Sequence, residues 1–222
     1  MKSGSTLISG LTVAVLAAAL VLAGYGAAVA VGGAGGKTIS TTTVTSSTNS
    51  TASSPYVVTL VIATDSIFNS SAQDQPAYFV LGPNGLQSSA KISLPADRLI
   101  KLVIINYDDG NASLEMPNDN VVSGTTNGTI FVASNSNINS SETASGISVK
   151  GGETLSSVPL SDVAHTFTVP GLDLNIPLPT SSTVVAYFTV AKGGTYQWFC
   201  ETSCGDAAMS TVGWMTGSLV AS

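Results

Sequence analysis

The sequence predicts an all-β sandwich tethered by one N-terminal transmembrane helix. Three observations lead to this prediction: an uncharged apolar run near the N-terminus, a polar low-complexity stretch after it, and short β-branched segments separated by turn residues. We divide the 222 residues into an anchor over 1–36, a Ser/Thr-rich linker over 37–54 and a β domain over 55–222. A domain of that size can bury a sizeable core without disulfide bonds.

The anchor is predicted from Leu7 to Val31, a run of 25 residues without a charged side chain. A helix needs about 20 apolar residues to cross the hydrocarbon core of a bilayer. The short, weakly basic N-terminus with Lys2 favours an orientation with the N-terminus in the cytoplasm and most of the chain outside the cell. We therefore expect a single-pass cell-membrane protein with its C-terminal domain on the extracytoplasmic side. A cleaved signal peptide, with Ala27–Ala30 as the small-residue site, is the alternative.

The linker region, Gly32 to Ser54, is rich in Gly, Ser, Thr and Ala, and this composition predicts a flexible tether. Five Asn-x-Ser/Thr sequons lie outside the apolar run. They agree with an outward-facing glycoprotein, although chance produces some sequons in a chain so rich in these residues. The sequons begin at Asn49, Asn69, Asn111, Asn127 and Asn139.

From Pro55 onward, the pattern alternates between strand and turn. Eight or nine short strands separated by Gly, Pro and Asn turns indicate a sandwich or barrel. The region 118–152 is Ser/Asn/Gly-rich and predicts a long insertion with a short hairpin. The predicted strands are Tyr56–Ala63, Ala77–Leu81, Arg98–Tyr107, Asn127–Ala133, Thr154–Leu160, His165–Val169, Val184–Val190, Thr195–Phe199 and Gly217–Val220.

Composition excludes several classes of function. The net charge is -6 and no basic residues cluster, so we expect no nucleic-acid partner. One His and no clustered carboxylates leave little from which to build a Ser-His-Asp hydrolase or a zinc hydrolase. The Asp108-Asp109-Gly110 sequence is most simply a turn after a strand.

The residues that carry chemistry lie in the last 58 residues, which hold the one His and both Cys of the chain. There Asp162-Val163-Ala164-His165 begins a strand, Cys200-x-x-x-Cys204-Gly205 follows a later strand, and Met215-x-Gly-x-Leu-Val leads into the last one. Together these motifs resemble the copper domain of cytochrome oxidase subunit II over roughly residues 155–222. The resemblance implies a cupredoxin-like Greek-key β-sandwich that works in respiratory electron transfer.

The resemblance also implies a set of copper ligands. His165 would be the upstream ligand, Cys200 and Cys204 the bridges between two coppers, Thr202 a backbone carbonyl donor and Met215 a thioether. Soft sulfur ligands and imidazole suit copper. The sequence departs from the family at the second His, whose place falls on Ala208 or Val212. Met209 is a possible substitute, and the two-copper centre is expected to be altered.

Three outcomes stay open for the site, and the two tryptophans near it also have two interpretations. A single copper would use His165, both Cys and a Met; a metal-free site would join the Cys pair as a disulfide in an oxidising compartment. The third outcome is a vestige in an oxidase that accepts electrons from quinol. Trp198 and Trp214 belong either to the core or to a contact surface or electron path.

The leading functional prediction is a non-catalytic, subunit II-like component of a haem-copper terminal oxidase, in particular a quinol oxidase. Its partners would be the haem-copper catalytic subunit, other membrane subunits and the membrane itself. One alternative is a free-standing, membrane-anchored copper protein that transfers electrons. The other is a non-redox, glycosylated surface protein with the same fold.

Overall fold

A computed structural model describes residues 53–64, 75–110, 114, 116–137, 149 and 151–222. The predicted anchor, nearly all of the predicted linker and four of the five sequons lie outside these residues. Asn127, the remaining sequon, is exposed. The part of the chain that the structure describes has no helix that is long and apolar enough to span a membrane.

The described residues form strands almost throughout, because β-branched and aromatic side chains dominate their segments. They include twelve strands, β1 to β12, and one five-residue helix, α1, between β11 and β12. The strands are β1 Tyr56–Thr64, β2 Pro76–Gly82, β3 Gly85–Ser88, β4 Lys91–Leu94, β5 Leu99–Asn106, β6 Ile130–Ser134, β7 Gly152–Leu155, β8 Val163–Val169, β9 Leu174–Pro179, β10 Ser182–Thr189, β11 Gly194–Phe199 and β12 Thr216–Ala221, and α1 is Asp206–Ser210.

These strands build two sheets. One has seven strands in the order β3-β2-β1-β5-β10-β6-β7, and the other has five in the order β4-β12-β11-β8-β9. Pairing is antiparallel except between β1 and β5 and between β12 and β4. The prediction of an all-β sandwich is confirmed.

The core lies between the sheets and draws on both. Leu60 and Ile104 of the seven-stranded sheet belong to the same buried cluster as Ile176 and Leu219 of the five-stranded sheet. Burying such side chains contributes about 1.5–3 kcal/mol each. The strand β8 has all seven of its residues buried, so its polar members, His165 among them, are enclosed with the core.

Three aromatic rings fill the core next to β8. Trp198 is fully buried, with its ring centroid 5.2 Å from that of Tyr78 and 5.5 Å from that of Phe167. Of the two interpretations for the tryptophans, Trp198 therefore belongs to the core. Trp214 is half-buried and packs against the same cluster.

The predicted strands all have counterparts, and the differences lie at particular places. Three strands, β3, β4 and β9, and the helix α1 were not predicted. Two predicted strands shift the most: Asn127–Ala133 becomes Ile130–Ser134, preceded by a 3₁₀ turn, and Thr154–Leu160 becomes Gly152–Leu155. The ends of the others differ by no more than two residues. β6 and β7 pair antiparallel, but residues 138–148 and 150 between them lie outside the described residues, so the short hairpin within 118–152 stays a prediction.

Candidate metal centre

The imidazole of His165 and the two thiols converge at one end of the sandwich. Their ligand atoms all lie within 4.8 Å of one another. The Sγ atoms of Cys200 and Cys204 are 3.3 Å apart, and Nδ1 of His165 lies 3.1 Å from Sγ of Cys204 and 4.0 Å from Sγ of Cys200. The exposed fractions of His165, Cys200 and Cys204 are 2%, 1% and 8%. The sequence motif thus marks three side chains that the fold encloses together.

Both thiols are free in this structure. A disulfide bond would bring the two sulfurs to about 2.05 Å. Their separation of 3.3 Å is instead a non-bonded contact. The structure therefore has both cysteines in the reduced form, and the metal-bound and disulfide outcomes stay predictions.

Local hydrogen bonds attach the cysteine loop to the neighbouring strand. The backbone N–H of Thr166 in β8 donates to Sγ of Cys200 at 3.3 Å, and the N–H of Glu201 donates to Oγ1 of Thr166 at 2.7 Å. On the other side, the N–H of Cys200 donates to the carbonyl of Met215 at 2.9 Å. The position of Cys200 is therefore fixed by backbone groups on both sides.

Thr202 presents its side chain to the sulfur pair. Its hydroxyl oxygen lies 3.1 Å from each Sγ, and the hydroxyl donates to the carbonyl of Ala164 at 2.9 Å. The residue is fully buried. A ligand role for its backbone carbonyl stays a prediction, while the atom that the structure places at the sulfurs is Oγ1.

The two methionines differ in their surroundings. Met215 is fully buried immediately before β12, and its carbonyl is bonded to the N–H of Cys200. Met209 lies in α1 and is half-buried. Met215 is therefore held beside Cys200 through the backbone, as the motif suggests, and a ligand role for either thioether stays a prediction.

The two sequence positions considered for the missing second His have opposite environments. Ala208 is fully buried in α1, and its N–H donates to Oε1 of Gln75 at 2.7 Å. Val212 is 67% exposed. Neither the buried methyl group of Ala208 nor the exposed side chain of Val212 can bind metal. His165 is therefore the one imidazole of the chain.

Asp108 is a component of the site that the sequence did not indicate. Its Oδ2 accepts a hydrogen bond from Nε2 of His165 at 2.8 Å, so one ring nitrogen faces the carboxylate and the other faces the sulfurs. The sequence marks Asp108 only as part of a turn after β5, 57 residues before His165. Only the packing of the two sheets brings the pair together, and no local pattern could have revealed it.

Hydrogen bonds within the cluster shift the pKa values of His165, Asp108 and Cys200. Burial alone would lower the pKa of His165, but its hydrogen bonds to Asp108 and Cys200 raise that pKa to about 9. The hydrogen bond from His165 holds the pKa of Asp108 below its usual value, against the effect of burial. Burial alone would raise the pKa of Cys200, but hydrogen bonds from Cys204 and His165 outweigh it and lower that pKa.

Cys204 behaves in the opposite way to Cys200. Its hydrogen bond to Cys200, together with burial, raises the pKa of Cys204 above its usual range. These opposite shifts make Cys200 the more acidic of the two thiols. A metal bound by this cluster would need both sulfurs deprotonated and the lone pair of Nδ1 free.

The donor set fits copper. Thiolates and a thioether select soft ions such as Cu(I), and imidazole suits copper in both of its biological oxidation states. Among the described residues, this is the one group of three or more His, Cys, Asp or Glu side chains close enough to hold a metal ion. With one imidazole in the chain, the set does not match the two-histidine, two-copper centre of the family that the motif resembles.

Comparison with known proteins gives weak likenesses at the level of fold. No family model and no curated protein matches the chain. The solved structures that it matches are cupredoxin-fold proteins, and they include the periplasmic domain of subunit II of cytochrome oxidase from Bradyrhizobium japonicum, at 10% identity and a TM-score of 0.34 over 75% of this chain and 83% of that one.

Two further neighbours are rusticyanin from Thiobacillus ferrooxidans and auracyanin B. Rusticyanin has 13% identity and a TM-score of 0.31 over 76% of this chain and 79% of that one. Auracyanin B has 12% identity and a TM-score of 0.30 over 76% of this chain and 91% of that one. Because these scores are low, the likeness adds nothing to what the geometry of the cluster itself shows.

Proposed function

We propose that this chain is a membrane-anchored, subunit II-like electron-transfer component of a haem-copper terminal oxidase and that it holds copper in an altered, single-metal site. The observation that carries the proposal is the convergence of two buried, free thiols and one imidazole nitrogen within 4.8 Å. Copper supplies one-electron redox chemistry when bound at such a site.

The residues of the chain would hold the metal in a fixed and dry environment. Cys200 is clamped by backbone bonds to Thr166 and Met215, and His165 lies within a fully buried strand. Ligands that cannot move between oxidation states favour fast electron transfer, since little rearrangement accompanies each step. The burial of all three ligand residues limits the access of solvent to the sulfurs.

A single copper agrees better with these residues than two. A pair of bridged coppers needs terminal ligands on both metals, and the chain has only one His. Of the two positions considered for the second His, Ala208 has a buried methyl group and Val212 an exposed apolar side chain, and neither can bind metal. His165, Cys200 and Cys204 would hold one ion, with Oγ1 of Thr202 or a Met thioether as the fourth donor.

The oxidase partnership and the membrane anchor rest on the sequence. The motif over roughly 155–222 resembles subunit II, and Leu7 to Val31 is long enough to span a bilayer. The altered site would suit an oxidase that takes electrons from quinol rather than from a cytochrome or a soluble copper protein.

The partnership is tested by purifying the tagged full-length chain from its native membranes in mild detergent. We expect haem-containing membrane subunits to co-purify, and the haem absorbance to follow the tagged chain through a sizing column. A copper signal in the purified chain without any haem would contradict the oxidase assignment and leave a free-standing electron-transfer protein.

A further inference from the structure

Asp108 lies behind the one imidazole of the cluster. Asp108 lies two residues after the end of β5 in the seven-stranded sheet, whereas His165 belongs to β8 in the five-stranded sheet. The bond between Oδ2 and Nε2 is 2.8 Å long, with 27% of the Asp108 side chain and 2% of the His165 side chain exposed.

We propose that Asp108 is a positioning residue that fixes which nitrogen of His165 is offered to copper and that lowers the reduction potential of the bound metal. This inference rests on the proposed function. It goes beyond the ligand set because the side chain of Asp108 is hydrogen-bonded to the ring of His165 and would act chiefly through it.

The carboxylate of Asp108 cannot swing away from the ring without breaking other bonds. Its Oδ1 accepts the N–H of Gly110 at 2.9 Å, and its own N–H donates to Oδ1 of Asn106 at 3.0 Å. Asn106 is fully buried and donates to the carbonyl of Pro179 at 2.9 Å. The Asp108-Asp109-Gly110 turn therefore holds Oδ2 at the position that meets Nε2.

The fixed acceptor determines the state of the ring. A neutral imidazole has one N–H donor and one lone-pair acceptor, and the hydrogen bond made by one nitrogen sets which is which. Because Oδ2 keeps the proton on Nε2, the lone pair of a neutral His165 is on Nδ1, which faces Sγ of Cys204 at 3.1 Å. His165 is thereby prepared to bind metal through Nδ1.

The negative charge of Asp108 has a second effect. A carboxylate bonded to the far side of a ligating imidazole raises its basicity and so strengthens it as a donor. A more anionic environment stabilises Cu(II) more than Cu(I), so the reduction potential falls.

The motif contains another acid, Asp162, three residues before His165. Its Oδ1 accepts a hydrogen bond from the hydroxyl of Ser161 at 2.7 Å, and the residue is exposed, so it is not the acid that meets the ring of His165.

The test compares Asp108→Asn with Asp109→Asn in the purified full-length protein. Both changes remove one negative charge from the same turn and keep the shape of the side chain, and Asp109 is exposed. Cu(I) affinity is measured by competition with a chromogenic chelator, and the reduction potential by spectroelectrochemical titration.

For Asp108→Asn we expect Cu(II) affinity to fall by about 10- to 100-fold, the usual loss for such a supporting group. Cu(I) affinity should fall less than Cu(II) affinity. For each factor of ten by which the loss of Cu(II) affinity exceeds the loss of Cu(I) affinity, the reduction potential rises by about 59 mV. Asp109→Asn should leave the Cu(I) affinity and the reduction potential near those of the wild type. Equal shifts in the two variants, or no shift in either, would overturn the inference while the copper site itself stands.

A second readout needs no copper. Because the chain has one His, selective ¹⁵N labelling gives the signals of a single ring. We expect a slowly exchanging, downfield Nε2 proton in the metal-free wild type and in Asp109→Asn, and its loss in Asp108→Ala, which removes both acceptor oxygens. Its persistence in Asp108→Ala would overturn the inference. A wild type that takes up no copper would instead contradict the proposed function, and the ring signal would still decide the role of Asp108.

Discussion

Thr202 shows how one residue of the cysteine loop serves both the fold and the site. Its hydroxyl donates to the carbonyl of Ala164, and its oxygen lies at equal distance, 3.1 Å, from the two sulfurs. Removing this hydroxyl would leave the Ala164 carbonyl without that donor in a closed environment.

We therefore expect Thr202→Val to lower the free energy of unfolding of the metal-free protein by about 1–3 kcal/mol, the cost of an unsatisfied buried polar group. It should also shift the absorption of the copper-loaded protein. Thr202→Ser keeps the hydroxyl and is the matched control. Urea denaturation and absorption spectra check both effects, and identical behaviour of the Val and Ser variants would contradict them.

The sulfur ligands are tested by single substitutions. Cys204→Ser should abolish any copper absorbance, because a hydroxyl is a poor replacement for a soft thiolate. Met215→Leu should weaken copper binding more than Met209→Leu, since Met215 is fully buried beside Cys200 and Met209 is half-buried in α1. Copper titration monitored by absorbance measures all three, and equal losses for the two Met variants would show that Met215 is wrongly matched to the family motif.

The Asp108–His165 pair gives the metal-free protein a defined pH dependence. The pKa of His165 is raised from 6.5 to about 9, so the contribution of its charged form to stability is complete below pH 6.5 and is lost as the pH rises through about 9. The pKa of Asp108 is lowered from 3.8, so its contribution is present above pH 3.8 and is lost as the pH falls through the lowered value.

The stability advantage of the wild type over Asp108→Asn should accordingly be larger at pH 5 than at pH 10. Urea midpoints of the two metal-free proteins at these pH values measure it. An advantage that grows between pH 5 and pH 10 would contradict the assigned charges.

Sequence reasoning reached part of the site and not all of it. The motif singled out His165, Cys200 and Cys204, and the structure places these three together, while their role as ligands stays a prediction. Asp108 was beyond reach because Asp-Asp-Gly is an ordinary turn pattern, and its meeting with His165 depends on how two sheets pack. The side-chain orientation of Thr202 is likewise a property of the folded loop.

At the scale of elements, the strands that the sequence missed all lie at sheet edges. In the two sheets, β3, β4 and β9 are edge strands. The first two have only four residues each, and β9 contains Pro177 and Pro179, which usually indicate a break. Proline lacks an N–H and is tolerated in a strand whose outer side has no partner. The sequence pattern does predict the central strands, because a strand that is buried on both of its faces consists of a long run of β-branched, apolar residues.

The pairing of β11 with β12 depends on a glycine. Gly217 lies opposite Trp198, and a Cβ built on Gly217 would be 2.6 Å from Nε1 of the indole and 2.9 Å from the carbonyl oxygen of Ser89. The indole is fully buried and in contact with two other rings, so it has little room to move. The ring that fills the core therefore requires a residue without a side chain on the neighbouring strand.

We expect Gly217→Ala to reduce the free energy of unfolding by about 1–3 kcal/mol, as overpacking usually does. It should also change the near-ultraviolet circular dichroism of the buried indole. Gly194→Ala is the control, because its Cβ would meet no atom closer than 3.6 Å. Urea denaturation compares the two, and equal stability of both variants would show that Trp198 can move aside.

At the scale of the whole β domain, the site exists only when the two sheets are packed together. Asp108 comes from the end of β5 in one sheet, while His165 and the cysteine loop come from β8 and the segment after β11 in the other. Because such a site does not exist in the unfolded chain, bound copper would stabilise the fold by mass action. Function and folding are therefore linked through the same cluster.

The central claim is that this cluster holds one copper through free thiols. The most direct measurement is the copper content of the purified, copper-loaded full-length protein, combined with titration of its thiols before and after chelation. We expect one copper per chain, with Cys200 and Cys204 protected while copper is bound and both reactive once it is removed. No copper uptake together with no free thiol would contradict it.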